Sequence, residues 1–249
     1  MEKYALYRLS HDGRQIDILG RPSVTSDTSI INLVFIQKMF ATDRFPEHHR
    51  ALVNYYNHIL TTQRTPLILD AGANIGAASI YFSETYSGAR VYGIEPDAEN
   101  YALLEANMKG RDFVGIQGAL SSQNGILCLN TEDFGPISYR TGQTGDTKVQ
   151  AYGLLDLIAK AEKDGKILLV KIDIEGAEEE VFSKDSGFLR DIPLIVMEPH
   201  DWMIPFKGSS QNFYRELSRH NFDVLLSGEN IFCFNNDILA KFLFPAIES

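Results

Sequence analysis

Leu67-Ile68-Leu69-Asp70-Ala71-Gly72-Ala73-Asn74-Ile75-Gly76 decides the fold. Three apolar residues, Leu67 to Leu69, run without alternation into Asp70, as in a strand buried on both faces. Gly72 and Gly76 then bracket a tight turn, and Ala77 to Phe82 starts a helix. Strand, glycine turn and helix make the first unit of an open α/β sheet. Ligands settle at such a turn because the helix start offers unpaired N–H groups and glycine admits close backbone approach. Asp70, at the carboxyl end of the strand, either fixes an ammonium group or orders the turn. The glycine spacing is not G-x-G-x-x-G, which argues against a nicotinamide dinucleotide.

Working outward from this decapeptide, strands and helices alternate. A second strand covers Arg90 to Glu95, followed by Pro96-Asp97 and a helix through Tyr101, Leu104 and Met108. Phe113 to Gly118 is a third strand. Leu154 to Ala161 reads as a helix, Ile167 to Val170 as another buried strand ending near Asp173, and Glu175 to Phe182 as a helix. Ile192 to Met197 is a fifth strand, Ser209 to His220 a helix, and Phe222 to Leu226 with Asn230 to Phe234 a closing strand pair around Gly228-Glu229. Ser121 to Gln150 reads as a long excursion with a short strand at Ile126 to Leu129, and Thr141 to Thr147 is nearly free of apolar residues. Excursions of that length tend to carry function.

Upstream, Tyr4 to Leu9 and Gln15 to Leu19 form a hairpin through Asp12-Gly13. Ser26 or Asp27 is placed to cap a helix carrying Ile30, Ile31, Leu33, Val34 and Phe40. A second helix starts at Pro46 and carries Leu52, Val53, Tyr56, Ile59 and Leu60 on one stripe. His48, His49 and His58 lie on it, but adjacent His48 and His49 cannot share a face, so no metal pair is expected. Residues 1–64 carry no chemical motif and are expected to lid the site or to contact another subunit.

The chain has 249 residues, 44% of them hydrophobic and 22% charged, enough for one large α/β domain with a modest extension. A net charge of −10, with Lys and Arg scattered singly, argues against a nucleic-acid partner. Cys128 and Cys233 are the only cysteines and have no C-x-x-C spacing, so neither a disulfide framework nor a zinc site is indicated. With no stretch near ~20 apolar residues and no apolar leader, a cytoplasmic chain without a membrane span is expected.

Three positions are placed for chemistry. Glu95, ending the second strand, can accept both hydroxyls of a ribose or simply begin a helix in a favourable dipole, and the glycine turn before it favours ribose. Lys171-Ile-Asp173-Ile-Glu175-Gly176 puts three ionisable groups on one face if the strand continues. Buried charges persist only when paired or solvated in a cleft, and a cap explains Glu175 but not Lys171 and Asp173. Glu198 and His200 flank Pro199 at the same edge, and His200 is the histidine that topology places to take a proton.

Asp70-Ala-Gly-Ala-Asn-Ile-Gly76, Glu95-Pro-Asp97, Gly118-Ala119-Leu120, Gly153-Leu-Leu-Asp-Leu157 and Lys171-Ile-Asp-Ile-Glu-Gly-Ala-Glu178 together resemble the FkbM family of S-adenosylmethionine-dependent methyltransferases, over about Leu67 to Leu226. The resemblance implies a Rossmann-like class I methyltransferase fold over 65–249: an α/β, mostly parallel, seven-stranded sheet with helices on both faces. It implies O-methylation of a hydroxyl on a small molecule, a sugar or glycan, or a polyketide-like metabolite. By the same resemblance Asp70, Gly72, Ala73, Asn74 and Gly76 hold the methionine part of the cofactor, Glu95 the ribose, and Pro96 and Ala119 border the adenine. Asp173 faces the methyl, with Glu175 and His200 toward the acceptor; Lys171 joins these three as a candidate catalytic residue, and the family motif assigns no base. A divalent ion on Asp173, Glu175 and Glu198 ranks below a metal-free mechanism, because those acids have other uses. The competing functions are a cofactor-binding regulator without turnover and, disfavoured by the glycine spacing, a nucleoside-cofactor oxidoreductase.

Overall fold

The computed structural model describes residues 3–130, 140–142, 147–184 and 187–244. Its elements are β1 (Ala5–His11), β2 (Arg14–Gly20), α1 (Thr25–Ile31), α2 (Pro46–Thr61), β3 (Thr65–Ala71), α3 (Ala77–Thr85), β4 (Arg90–Glu95), α4 (Ala98–Asn107) and β5 (Phe113–Gln117). There follow β6 (Ala119–Ser121), β7 (Gly125–Asn130), β8 (Arg140–Gly142), β9 (Thr147–Gly153), α5 (Leu154–Ala161), β10 (Gly165–Ile172) and α6 (Glu178–Val181). The chain closes with β11 (Leu194–Met197), α7 (Gln211–Leu217), β12 (Phe222–Ser227), β13 (Asn230–Asn235) and α8 (Asn236–Leu243).

The main sheet has seven strands in the order β12-β13-β11-β10-β3-β4-β5. Six strands run in one direction, and β13 alone runs antiparallel, between β11 and β12, as the closing pair predicts. The chain leaves β3 toward β4 and β5, then returns to the other side of β3 to lay down β10. At that reversal the connections diverge and open a crevice at the carboxyl ends of β3 and β10.

Continuous apolar runs form the central strands because both faces are covered. Ile68 points into a core shared with α2, α3, α4 and α8, while Leu67 points into one built from α5, α7 and Phe182. The first core also takes in Ile16 and Ile18 of the hairpin and Phe35 and Phe40 beyond α1, so residues 1–64 share a hydrophobic interior with the sheet. Among the described residues no helix is long and apolar enough to cross a membrane.

Four local expectations are corrected. Asp27 does not cap α1: buried, it holds the Arg21 guanidinium (2.9 Å) and the Arg21 N–H (2.7 Å) instead. The helix beginning there ends at Ile31 and widens into a π-helical turn over Asn32–Ile36, leaving Phe40 outside it. The expected excursion 121–150 is largely a second, four-stranded sheet in the order β6-β9-β7-β8. Residues 131–139 and 143–146 of it, most of the apolar-poor 141–147, lie outside the described residues. Finally, Glu175 to Phe182 is not one helix: β10 stops at Ile172, a turn follows, and only Glu178–Val181 is α-helical.

Candidate active site

A cleft of about 780 Å³ of open space lies at the reversal point, in the size range of small-molecule sites. Gly72, Ala73, Asn74, Glu95, Pro96, Ala119, Lys171, Asp173 and Glu175 line it, as expected of them. Its apolar wall includes Ile30 and Phe40 from the N-terminal region, which no motif in the sequence marks.

Glu95 closes the middle of the cleft. Its Oε2 accepts from the Asn74 N–H (2.8 Å) and its Oε1 from the Asp97 N–H (3.0 Å), so one carboxylate joins the glycine turn to the start of α4. Burial pushes its carboxyl up to about 7, against the pull of those two backbone donors and the Asn100 amide. The two readings of Glu95, ribose acceptor and acid at the start of a helix, are compatible, since Oε2 has a single backbone donor and keeps a free lone pair.

Gly72 crosses so close to the next strand that a Cβ there would stand 1.7 Å from the Asp173 carbonyl oxygen, and its φ of +74° is itself a glycine conformation. This crossing brings the β3 turn against the segment after β10. Lys171 fastens it. Its buried ammonium donates to the Gly72 carbonyl (2.8 Å) and stands 3.1 Å from Asp70 Oδ1 and 3.3 Å from Asp173 Oδ2. Burial works against its charge, but the two aspartates outweigh it and hold the ammonium firmly protonated. With its donors committed in this way, Lys171 is a strut between strands, not the catalytic group the sequence suggests.

Asp70 and Gly76 also depart from their expected role. Asp70 lies beneath the cleft without lining it, accepting from the Ser79 hydroxyl (2.6 Å) and facing Lys171. It orders the turn, the second of its two readings. Gly76 faces the other way: a Cβ there would stand 2.9 Å from Leu104 of α4, so its lack of a side chain serves helix packing.

Around His200 the chain gathers four carboxylates. The ring is buried; its Nδ1–H donates to Glu178 Oε1 (2.6 Å), the tautomer being set by that acceptor. Its Nε2 stands 3.6 Å from Asp173 Oδ1, 3.9 Å from Glu175 Oε2 and 3.6 Å from Glu198 Oε1. Asp173 and Glu175 reach the cleft from a turn, not from one strand face, and Glu175 takes a left-handed φ of +56° that is costly for a side chain of its kind. Burial raises the Glu175 carboxyl to about 7 and Glu198 also upward, the Asp173 charge adding to both. Burial lowers the His200 pKa, but the Glu178 hydrogen bond and the charges of Asp173, Glu178 and Glu198 outweigh it and bring it to about 9. A buried imidazolium set back from the cleft has no lone pair to offer, so His200 is corrected from base to charged partner of the carboxylates. Glu178, quoted in the sequence motif but given no role there, is the residue that orients it.

The orphan Oδ1 of Asn74, buried in the cleft with no hydrogen-bond partner, and the committed acid Glu95 beside an apolar wall fit a nucleoside carrying a charged amino-acid end. Comparison with known proteins agrees. Residues 70–224 match the methyltransferase FkbM domain. Methyltransferase sdnD of Sordaria araneosa is 30% identical over a stretch covering 47% of this chain and 59% of that protein. Methyltransferase 1 of Beauveria bassiana is 23% identical, covering 46% of this chain and 56% of that protein. The chain thus spans somewhat over half the length of these curated relatives. An O-methyltransferase from Bacillus cereus, solved in complex with SAH, superposes with a TM-score of 0.42 at 12% identity, over 72% of this chain and 78% of that one. A domain match running from the first acid of the glycine turn into β12 takes in most of the chain, which belongs to the FkbM methyltransferase family.

Proposed function

We propose that the chain transfers a methyl group from S-adenosylmethionine, the cofactor of its family, to a hydroxyl of a small molecule, a sugar or glycan, or a polyketide-like metabolite. One observation carries this reading: a single cleft joins Glu95 to Asp173 and Glu175, so that a ribose held at Glu95 would leave an acceptor room beside the other two. Ala119 and Pro96 would border the adenine, while Gly72, Ala73 and the unpartnered Asn74 Oδ1 would meet the methionine end.

When bound, the cofactor supplies a methyl on a positively charged sulfur. A carboxylate ~6 Å from that charge, at an effective dielectric of ~20, attracts it by about 3 kcal/mol. That attraction fades as the methyl leaves, so Asp173 aids binding more than rate. Rate must come from holding the acceptor oxygen in line and removing its proton. In such a transfer the carboxylates around Asp173 and Glu175 would take the proton that the acceptor hydroxyl gives up. The strained backbone at Glu175 supports this assignment, since such strain gathers at functional sites. The Ile30 and Phe40 side chains of the N-terminal region would cover the cofactor's apolar side.

Calorimetric titration with S-adenosylmethionine, S-adenosylhomocysteine and NAD tests the reading. Binding of the first two only, lost in Glu95→Ala, is expected and justifies an acceptor screen over sugars and polyketide alcohols. Binding of NAD, or of none of the three, overturns it. Cofactor binding with no turnover on any hydroxyl acceptor would favour a regulator.

A further inference from the structure

Three carboxylates and one imidazole converge beside the cleft with more negative charge than the strands supply cations to match. Lys171 is already committed to Asp70 and Asp173. Glu175 and Glu198 have His200 as their one cationic neighbour within salt-bridge distance among the described residues. Donor atoms of Asp173, Glu175 and His200 all lie within 4.8 Å of one another. The independent sign of a ligand is the ring itself. His200 has a side chain only 2% exposed, yet its Nε2, aimed into this group, makes no hydrogen bond among the described residues. Its other nitrogen is fixed by a buried carboxylate, Glu178, which is how proteins orient a metal-binding histidine.

We propose that Asp173, Glu175 and His200, whose ring gives up its Nε2 proton on binding, hold one divalent transition-metal ion at the acceptor end of the cleft, with Glu198 placed as a fourth donor. Two donors ~2.1 Å from one ion stand ~3.0 Å apart at a right angle and ~4.2 Å apart across it. The 3.6 to 3.9 Å separations from Nε2 fall inside that window. One imidazole with two or three carboxylates suits Mn²⁺ or Zn²⁺ over Mg²⁺, which prefers oxygen donors and keeps its water. This site rests on the methyltransferase reading only for its use. There the ion would hold the acceptor's hydroxyl as a further ligand and ease loss of its proton.

The test is binding, not turnover. The full chain is stripped with a chelator, desalted, and titrated with Mn²⁺ by electron paramagnetic resonance and with Zn²⁺ by calorimetry, with S-adenosylmethionine titrated in parallel. One ion per chain is expected, with affinity reduced at least tenfold in Glu175→Gln and in His200→Gln, and about tenfold in Glu178→Gln, which holds the ring and the Gly176 N–H but is not itself a donor to the ion. Glu175 is partly exposed and holds no other element in place, so Glu175→Gln keeps the test valid should His200→Gln fail to fold. Exposed Asp223→Asn is the control expected to bind as the parent does. No ion bound, or binding unchanged in Glu175→Gln, overturns the metal site and leaves the cofactor reading standing if S-adenosylmethionine still binds. An ion bound and lost in Glu175→Gln, with no S-adenosylmethionine binding, keeps the site and removes the cofactor reading.

Discussion

Replacing Lys171 by methionine removes a cation that two aspartates share at the floor of the cleft while keeping a side chain of similar length. At 3.1 Å and 3.3 Å, and an effective dielectric of ~20, each contact is worth roughly 5 kcal/mol of gross attraction, offset by several kcal/mol for dehydrating each ion. The net value of the trio is therefore small, but the cost of breaking it is not. Lys171→Met leaves Asp70 charged, fully buried and short of its partner, for which ~3–5 kcal/mol is the expected loss. Against a total stability of ~5–15 kcal/mol that is a large fraction. Urea unfolding followed by circular dichroism reads it: with a slope of ~2–3 kcal/mol per molar, the midpoint should fall by ~1–2 M. Asp70→Asn should restore part of the loss in the Lys171→Met background, because it removes the uncompensated charge. A coupling of at least ~1 kcal/mol in the double-mutant cycle is expected. A Lys171→Met midpoint within ~0.3 M of the parent, or losses that simply add, would refute the strut.

Other perturbations probe the same machinery. Glu95 must be ionised to accept ribose hydroxyls, and burial holds its carboxyl at about 7 in the free chain. Below that pH, binding has to expel a proton, so S-adenosylmethionine affinity should fall on going from pH 8 to pH 6, by up to about tenfold per unit below 7. Calorimetry on Glu95→Gln should give weak, pH-independent binding, and a flat parent profile would count against the ribose role. Gly72→Ala places a Cβ 1.7 Å from the Asp173 carbonyl oxygen at φ +74°, and should cost well over ~1 kcal/mol in unfolding and abolish cofactor binding. Unchanged binding would mean that the two segments do not cross as described. Asp27→Asn leaves Arg21 largely buried beside a weaker partner, and ~3 kcal/mol of lost stability is expected by urea unfolding. A loss below ~0.5 kcal/mol would show that this pair does not anchor the N-terminal region.

What the sequence determined by itself is whatever follows from periodicity and turn chemistry. The apolar runs at Leu67–Leu69 and Ile167–Val170 could only be strands covered on both faces, and the glycine turn after Asp70 located the crevice. Hairpin, α2 and closing strand pair were legible for the same local reason, as were the cleft positions of Glu95, Asp173 and Glu175, which stand at strand ends. Tertiary structure decided the rest, because it concerns charges that meet across the sheet. Asp70 and Lys171 look like site residues from their places on the chain, and only the register of β3 against β10 reveals that they neutralise each other at the floor of the cleft. His200 has the position of a base, but Glu178, 22 residues earlier, holds one nitrogen while three other carboxylates surround the second. The apolar wall from Ile30 and Phe40 carries no motif, since a hydrophobic side chain announces burial and not what it is buried against. Local pattern fixes which elements form, while protonation and ligand preference depend on distances between groups that the chain brings together only by folding.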